Sequence, residues 1–280
     1  MSKNNSKFKA NTVVLIIISI LFITSCEKVF DYSPYVIDFD EENTNTNSKN
    51  IQKIISSENS DDTIIIAFTG DSHLEYDEFD EIVNTINNLK STINFDFAVH
   101  MGDIADFGLP KQYLWANKYL LNLDIPYVVT LGNHDLVGNG GDAYKEMFGE
   151  FDFSFIYDSI KFISLNTNGM EFSFNGNVPD ISWLDSQLKP NNNFAKAVLL
   201  IHVPPTNRDF DSSLEIPFQN TITKYNNVIC VVHGHTHHHS VYVPYEDSMS
   251  YIGIYSMKKK KFNILKIVNN KFSVSTYELK

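Results

Sequence analysis

The chain has 280 residues, 43% hydrophobic and 13% aromatic, enough to bury the core of one large domain and too few to suggest a second catalytic one. Its formal net charge of −12 disfavours nucleic acid as a partner, because such binders release counterions along a basic track, and the one basic run, Lys258 to Lys261, reads as a hairpin edge or turn. The two cysteines, Cys26 and Cys230, are isolated, so no disulfide framework is expected and Cys230 reads as a small core residue.

Residues 1–25 read as a targeting segment. Lys3, Lys7 and Lys9 form a basic start, and Val13 to Ile23 is an apolar stretch of eleven residues, short of the ~20 that span a bilayer. The end, Leu21-Phe22-Ile23-Thr24-Ser25-Cys26, resembles a bacterial lipobox. That resemblance implies cleavage before Cys26, lipidation of its thiol, and a protein lipid-anchored in the bacterial cell envelope, facing the periplasm or the exterior; the alternatives are an ordinary signal peptide or an uncleaved anchor. Losing three lysines and no acid takes the net charge from −12 to −15. Residues 26–62 read as a flexible tether, since Asp38 to Asp62 is rich in Asn, Ser, Thr and acids with only Ile51, Ile54 and Ile55 interrupting. The globular domain is expected over 63–280.

From Thr63 onward strand-like and helix-like patterns alternate. Ile64 to Thr69, Phe95 to Val99 and Tyr127 to Thr130 are short β-type runs, each ending on a polar cluster. Phe79, Ile82, Val83, Ile86 and Leu89 recur at helical spacing between the first two. Pro110 opens the next helix, where its missing N–H costs nothing, with Tyr113, Leu114, Leu120 and Leu121 facing inward. Right-handed crossovers would lay these strands parallel and bring their carboxyl ends together. Ile160 to Leu165, Ala197 to Ile201 and Val228 to Val232 repeat the theme, with Asp180 capping a helix through Ile181, Trp183, Leu184 and Leu188. The tail, Tyr251 to Tyr255, Phe262 to Val268 and Phe272 to Tyr277, reads as an antiparallel meander.

The polar clusters at these strand ends are Asp71-Ser72-His73, Gly102-Asp103, Gly132-Asn133-His134-Asp135, His202 and Gly234-His235-Thr236-His237. Singly, each is also a good turn or cap sequence, or a hydrogen-bonded core histidine. Jointly they gather at least seven potential metal ligands at one sheet edge, and a dinuclear centre is what such a gathering makes. Histidine, carboxylate and amide donors without thiolate suit Fe, Mn or Zn better than Mg or Ca. No glycine-rich phosphate loop or dinucleotide fingerprint is present, so no organic cofactor is implied.

These motifs resemble those of the calcineurin-like metallophosphoesterase family: D-x-H at Asp71 and His73, G-D-x-x-D-x-G at Gly102 to Gly108 with Asp103 and Asp106, G-N-H-D at Gly132 to Asp135, a lone His202, and G-H-x-H at Gly234 to His237. The resemblance implies an α/β fold, a four-layer αββα sandwich of two mixed sheets packed face to face. It implies one metal held by Asp71, His73, Asp103 and His237, and a second held by Asp103, Asn133, His202 and His235, with Asp103 bridging. By the same resemblance His134 contacts the substrate phosphate or protonates the leaving group, Asp135 orients the His134 ring, and Asp106 orients a ligand or a water. The activity implied is hydrolysis of a small phosphodiester or phosphomonoester by a metal-bound hydroxide. The compact length and His202-Val203-Pro204-Pro205 resemble the small, cap-free members related to cyclic-nucleotide phosphodiesterases. The rival reading is a non-catalytic, metal-containing surface binding protein of the same fold.

Other polar residues read as follows. His100 and His233 are expected to pack at strand ends, and His238 and His239 to sit in a solvated loop. Arg208 is expected either to meet a substrate phosphate or to form a surface salt bridge. Tyr76 and Tyr113 are expected mostly as core or rim, with base stacking as the alternative.

Overall fold

Alternation of apolar side chains with a period of two is what layers this protein. The computed structural model describes residues 33–57, 62–246 and 248–279; the expected leader and Cys26 lie outside them. Strands β1 (Thr63–Thr69), β2 (Phe97–His100) and β3 (Tyr127–Val129) run parallel, and β10 (Lys261–Val268) and β11 (Lys271–Glu278) join them antiparallel, giving the order β11-β10-β1-β2-β3. A second sheet has the order β4-β5-β6-β7-β9-β8, from β4 (Phe153–Tyr157), β5 (Ile160–Leu165), β6 (Lys196–Ile201), β7 (Val228–His233), β8 (Ser240–Tyr242) and β9 (Tyr251–Gly253). Within it β5, β6, β7 and β9 are parallel, while β4 and β8 pair antiparallel at the two edges.

Ile64, Ile66 and Phe68 of β1 meet Val198 and Leu200 of β6 and Cys230 and Val232 of β7 in the core between the sheets. The alternate residues face outward. Ala67 and Ala98 pack under helices α2 (Tyr76–Leu89), α3 (Pro110–Leu120) and α4 (Gly140–Phe148), and Ala197, Leu199 and Ile201 pack under α5 (Ile181–Leu188) and α6 (Glu215–Lys224). Both sheets are therefore mixed, stacked face to face and covered by helices, the four layers expected. Asp180 caps α5 as expected, its carboxylate accepting the Trp183 N–H at 2.8 Å.

Two expectations are corrected. The folded unit begins at Ile37, not at Thr63, because α1 (Thr46–Ser56) lies in the segment read as a tether. Its Ile54 is fully buried. Asn47 lies against edge strand β3, donating through Nδ2 to the Val129 carbonyl and accepting the Val129 N–H on Oδ1, both at 2.8 Å. An amide side chain thus replaces the missing neighbour strand. The tail is not one meander either: β9 adds to β7 in the second sheet, and only β10 and β11 form a hairpin, in the first.

The basic run opens on a 3₁₀ turn, Met257–Lys259, that leads into β10. Lys258, Lys260 and Lys261 lie 3.1, 2.8 and 3.1 Å from the carboxylates of Glu75, Glu81 and Glu278. No basic track forms there. No helix among the described residues is long and apolar enough to cross a membrane.

Candidate metal centre

Parallel strands from both sheets end on the same edge, and every expected ligand sits just past such an end. Asp71 and His73 follow β1, Asp103 follows β2, Asn133 follows β3, His202 follows β6, and His235 and His237 follow β7. Backbone bonds lace the loops together: the Ser72 and His73 N–H groups donate to the Asp103 carbonyl (3.1 and 3.0 Å), and the His235 N–H donates to Asp71 Oδ1 (3.0 Å). Gly102, at φ +90°, allows this crowding, since a Cβ there would lie 2.6 Å from His202 Nδ1 and 2.8 Å from Gly132.

Asp71, His73, Asp103, His235 and His237 all hold left-handed backbone, with φ of 47, 46, 53, 65 and 60°. Such conformations cost a non-glycine residue about 1 kcal/mol or more each. Their concentration at five of seven expected ligands marks a site whose geometry is imposed by the surrounding fold.

Besides His73 with Asp106 and His134, two further groups have donor atoms within 4.8 Å of one another, Asp71, His73, Asp103 and His237 in one and Asp103, His202 and His235 in the other. Asp103 belongs to both. In the first group His73 Nε2 faces Asp103 Oδ2 at 3.7 Å and His237 Nε2 at 3.5 Å, and His237 Nε2 is 3.3 Å from Asp71 Oδ1. In the second, His202 Nε2 faces Asp103 Oδ2 and Asn133 Oδ1, both at 3.2 Å, and His235 Nδ1 is 3.0 Å from the same Asn133 oxygen.

The donor chemistry fits cations. His202 Nδ1 lies 2.7 Å from the Met101 carbonyl, which accepts its N–H, so neutral His202 turns a bare Nε2 toward two oxygens. Facing lone pairs repel unless positive charge lies between them. Burial alone would lower the His202 pKa, but the Asp103 carboxylate outweighs it and pushes it up to about 10, a proton standing where a cation would. Asp71 Oδ2 is buried without a hydrogen-bond partner, an orphan that a metal ion would satisfy. Burial lowers the pKa of His73, whose Nδ1 lies 3.1 Å from Asp106 Oδ1, so its neutral, ligating form is favoured.

His134 lies beside the first group, edge-on to His73 at 4.6 Å between ring centroids. Its N–H donates to Asp103 Oδ1 at 2.9 Å, and its ring is 41% exposed. The expectation that Asp135 orients this ring is corrected. Asp135 is buried and accepts the backbone N–H groups of Asp103, Ala105 and Gly132 at 3.0, 2.9 and 2.9 Å. The His134 ring is held instead by Asp106, with Nδ1 2.9 Å from its carbonyl and 3.3 Å from its carboxylate. Burial, then the charge of Asp103, pushes the Asp135 pKa up to about 7 against the opposing Ala105 and Gly132 N–H groups.

His100 and His233 are buried at strand ends as expected, at 3.0 Å from Ser72 Oγ and Tyr242 OH respectively, and burial brings their pKa values down to about 3 and about 4. His238 is exposed and His239 half-buried. Tyr113 is core, its hydroxyl donating to the Asp135 carbonyl at 2.7 Å, and Tyr76 packs against Trp115 and Tyr119. Arg208 forms a salt bridge, Nε to Asp209 Oδ1 at 3.4 Å. Asp209, outside every motif, puts Oδ2 3.3 Å from His235 Nε2.

The sequence matches the calcineurin-like phosphoesterase family over residues 64–239. The chain belongs to that family. It is 30% identical over 171 residues to a probable glycerophosphodiester phosphodiesterase, GpdQ, of Arcobacter nitrofigilis, a match covering 54% of this chain and 59% of that protein's length. It is 26% identical over 182 residues to a probable cyclic nucleotide phosphodiesterase of Vesicomyosocius okutanii, covering 60% of this chain and 76% of the relative. A dimetal phosphatase from Danio rerio shares the fold with a TM-score of 0.60 at 11% identity, over 76% of this chain and 95% of that one. So does GAP50, the anchor in the inner membrane complex of Plasmodium, with a TM-score of 0.59 at 15% identity, over 78% and 89% of the two chains.

Proposed function

We propose that this calcineurin-like phosphoesterase hydrolyses a small phosphodiester or phosphomonoester at a dinuclear metal centre. One observation carries the reading: the Asp103 carboxylate belongs to both donor groups, where a single anion can screen two cations from each other. The first cation would be held by Asp71, His73, Asp103 and His237, the second by Asp103, Asn133, His202 and His235. When bound, such a pair of Fe, Mn or Zn ions supplies a water ionised near neutral pH and charge to balance the phosphoryl oxygens.

The chain's own groups do the rest. Asp106 engages His134 Nδ1, leaving Nε2 as the nitrogen that can meet a substrate oxygen or protonate a leaving group. The loop after His202, through Pro205, Arg208 and Phe210, lines a cavity of about 380 Å³ with Phe174, and none of the expected ligands is among its lining residues. Relatives named for glycerophosphodiesters and cyclic nucleotides make diesters the first substrates to try.

Turnover of bis-p-nitrophenyl phosphate with added Mn²⁺ tests the proposal, and its absence under several metals would favour the non-catalytic binder. Two substitutions separate the assigned roles. Asn133→Ala is expected to weaken second-site occupancy by at least about tenfold, while His134→Ala is expected to keep both metals and lose about 10²- to 10⁴-fold in rate. Metal content of the purified variants checks both, and a site emptied by His134→Ala would overturn its assignment.

We further propose a lipid anchor on Cys26 and a place on the bacterial cell envelope, facing the periplasm or the exterior. Cys26→Ala should then move the protein out of the membrane fraction or block its maturation; an unchanged anchored product would instead point to an uncleaved leader.

A further inference from the structure

The two ring nitrogens of His235 point to different oxygens. Nδ1 lies 3.0 Å from Asn133 Oδ1 at hydrogen-bond geometry, and Nε2 lies 3.3 Å from Asp209 Oδ2 as an ion-pair contact. A neutral imidazole has one N–H to give, and a carboxylate is a stronger acceptor than an amide oxygen. With the proton on Nε2, the Nδ1 lone pair faces the point on which Asn133 Oδ1, His202 Nε2 and Asp103 Oδ2 also converge.

We propose that Asp209 is a positioning residue that holds His235 as its Nε2–H tautomer and so completes the donor set of the second cation. The inference rests on the two-cation reading. Asp209 cannot itself join that donor set through the same contact, because it meets the ring nitrogen directed away from Asn133. Asp106 and the Met101 carbonyl hydrogen-bond the outer ring nitrogens of His73 and His202 at 3.1 and 2.7 Å, and Asp209 faces that of His235 at ion-pair distance, 3.3 Å.

The surrounding chain fixes this carboxylate. The Asp209 N–H donates to Asn207 Oδ1 at 2.9 Å, and its carbonyl accepts the Met170 N–H at 3.0 Å. Two residues on, Asp211 Oδ2 accepts the Gly176 N–H at 3.0 Å, tying the loop again to the segment after β5. The Asp209 side chain is 14% exposed; its Oδ1 is buried without a hydrogen bond, 3.4 Å from Nε of the exposed Arg208, the sole arginine of the sequence, and Oδ2 is the oxygen that faces His235.

The test uses the full folded protein in two measurements. In cation-free protein at pH 8, long-range ¹⁵N–¹H correlations of labelled histidine should show His235 as the Nε2–H tautomer in the wild type, and a mixed or reversed tautomer in Asp209→Ala. In Mn²⁺ titrations followed by calorimetry, Asp209→Ala should weaken the second site about 10- to 100-fold and leave the first within about twofold. Asp209→Asn, whose amide oxygen can still accept the N–H, should recover the tautomer and most of the affinity, and it carries the test if the alanine variant does not fold. An unchanged tautomer with wild-type affinity at both sites would overturn the proposal. A wild type that binds no second cation but shows the Asp209-dependent tautomer would overturn the two-cation reading and leave the positioning role standing.

Discussion

Asp103→Asn is expected to lower kcat/KM by about 10³-fold or more and to cut bound metal from two ions per chain to one or none. The carboxylate it replaces is charged at any working pH. Burial by itself would raise its pKa, but the imidazoles of His202, His134 and His73 outweigh burial and hold it well below the usual carboxylate range. Asparagine keeps the shape and an oxygen for the His134 N–H, so the fold should survive; what disappears is the shared negative charge. At a separation of about 4 Å and an effective dielectric constant of about 20, two unit charges repel by about 4 kcal/mol, and two dications by about four times that. The carboxylate of Asp71 is still present, but it reaches only the first donor group. Metal analysis alongside kinetics checks this, and two bound ions with activity within tenfold of wild type would count against the bridging role.

Gly132→Ala is expected to cost as much activity although it removes no ligand. A Cβ at this position would lie closer to the Asp103 backbone nitrogen and Oδ1 than real Cβ atoms come, and 2.9 Å from the Asp103 Cα. Either the β2 or the β3 loop must shift, and each carries ligands. A displacement on the order of 1 Å is enough to cost about 10²-fold where geometry sets the rate, and more where it also breaks the bridge. Stability should fall by about 1 to 3 kcal/mol as well, the usual cost of overpacking. Gly141→Ala is the control. In α4 its Cβ would meet only side chains, Leu136 at 3.2 Å and Phe151 at 3.3 Å, so turnover and metal content should stay near wild type. Chelator sensitivity and thermal melts of the two variants distinguish a local lesion from general unfolding.

How far the sequence reveals this structure depends on which residues face the core. β5 is legible to the residue, because all six of its side chains are buried and Asp158-Ser159 turns the chain just before it. α4 escapes notice because it opens on Gly140-Gly141-Asp142, a loop signal, although Ala143, Tyr144, Met147 and Phe148 then form an inward face. α6 carries Pro217 in its first turn, and Phe218 and Ile222 are its only buried large apolar residues. α1 is hidden by composition: a segment of Asn, Ser and Thr reads as a solvated linker, yet Asn47 makes the pair of hydrogen bonds that a neighbouring strand would make.

The candidate site divides in the same way. Ligands that follow directly on β-runs are visible as motifs, since a strand end places them whatever the rest of the chain does. Contacts set by turn geometry are not. Asp135 adjoins His134 in sequence, but a 3₁₀ turn over His134–Leu136 sends consecutive side chains about 120° apart. The neighbour of His134 is therefore Asp106 from another loop. Asp209 is illegible for a related reason, as only the folding of the loop after His202 against the segment after β5 brings it to His235.

The most direct test of a shared-aspartate, two-cation centre is anomalous diffraction from crystals of the full domain grown with Mn²⁺. The account predicts two anomalous peaks about 3.5 to 4 Å apart, one on each side of Asp103, with His73 and His237 around the first and His202, His235 and Asn133 around the second. A protein active on phosphodiesters whose crystals show no peak there, or one peak that Asp103 does not touch, would contradict it.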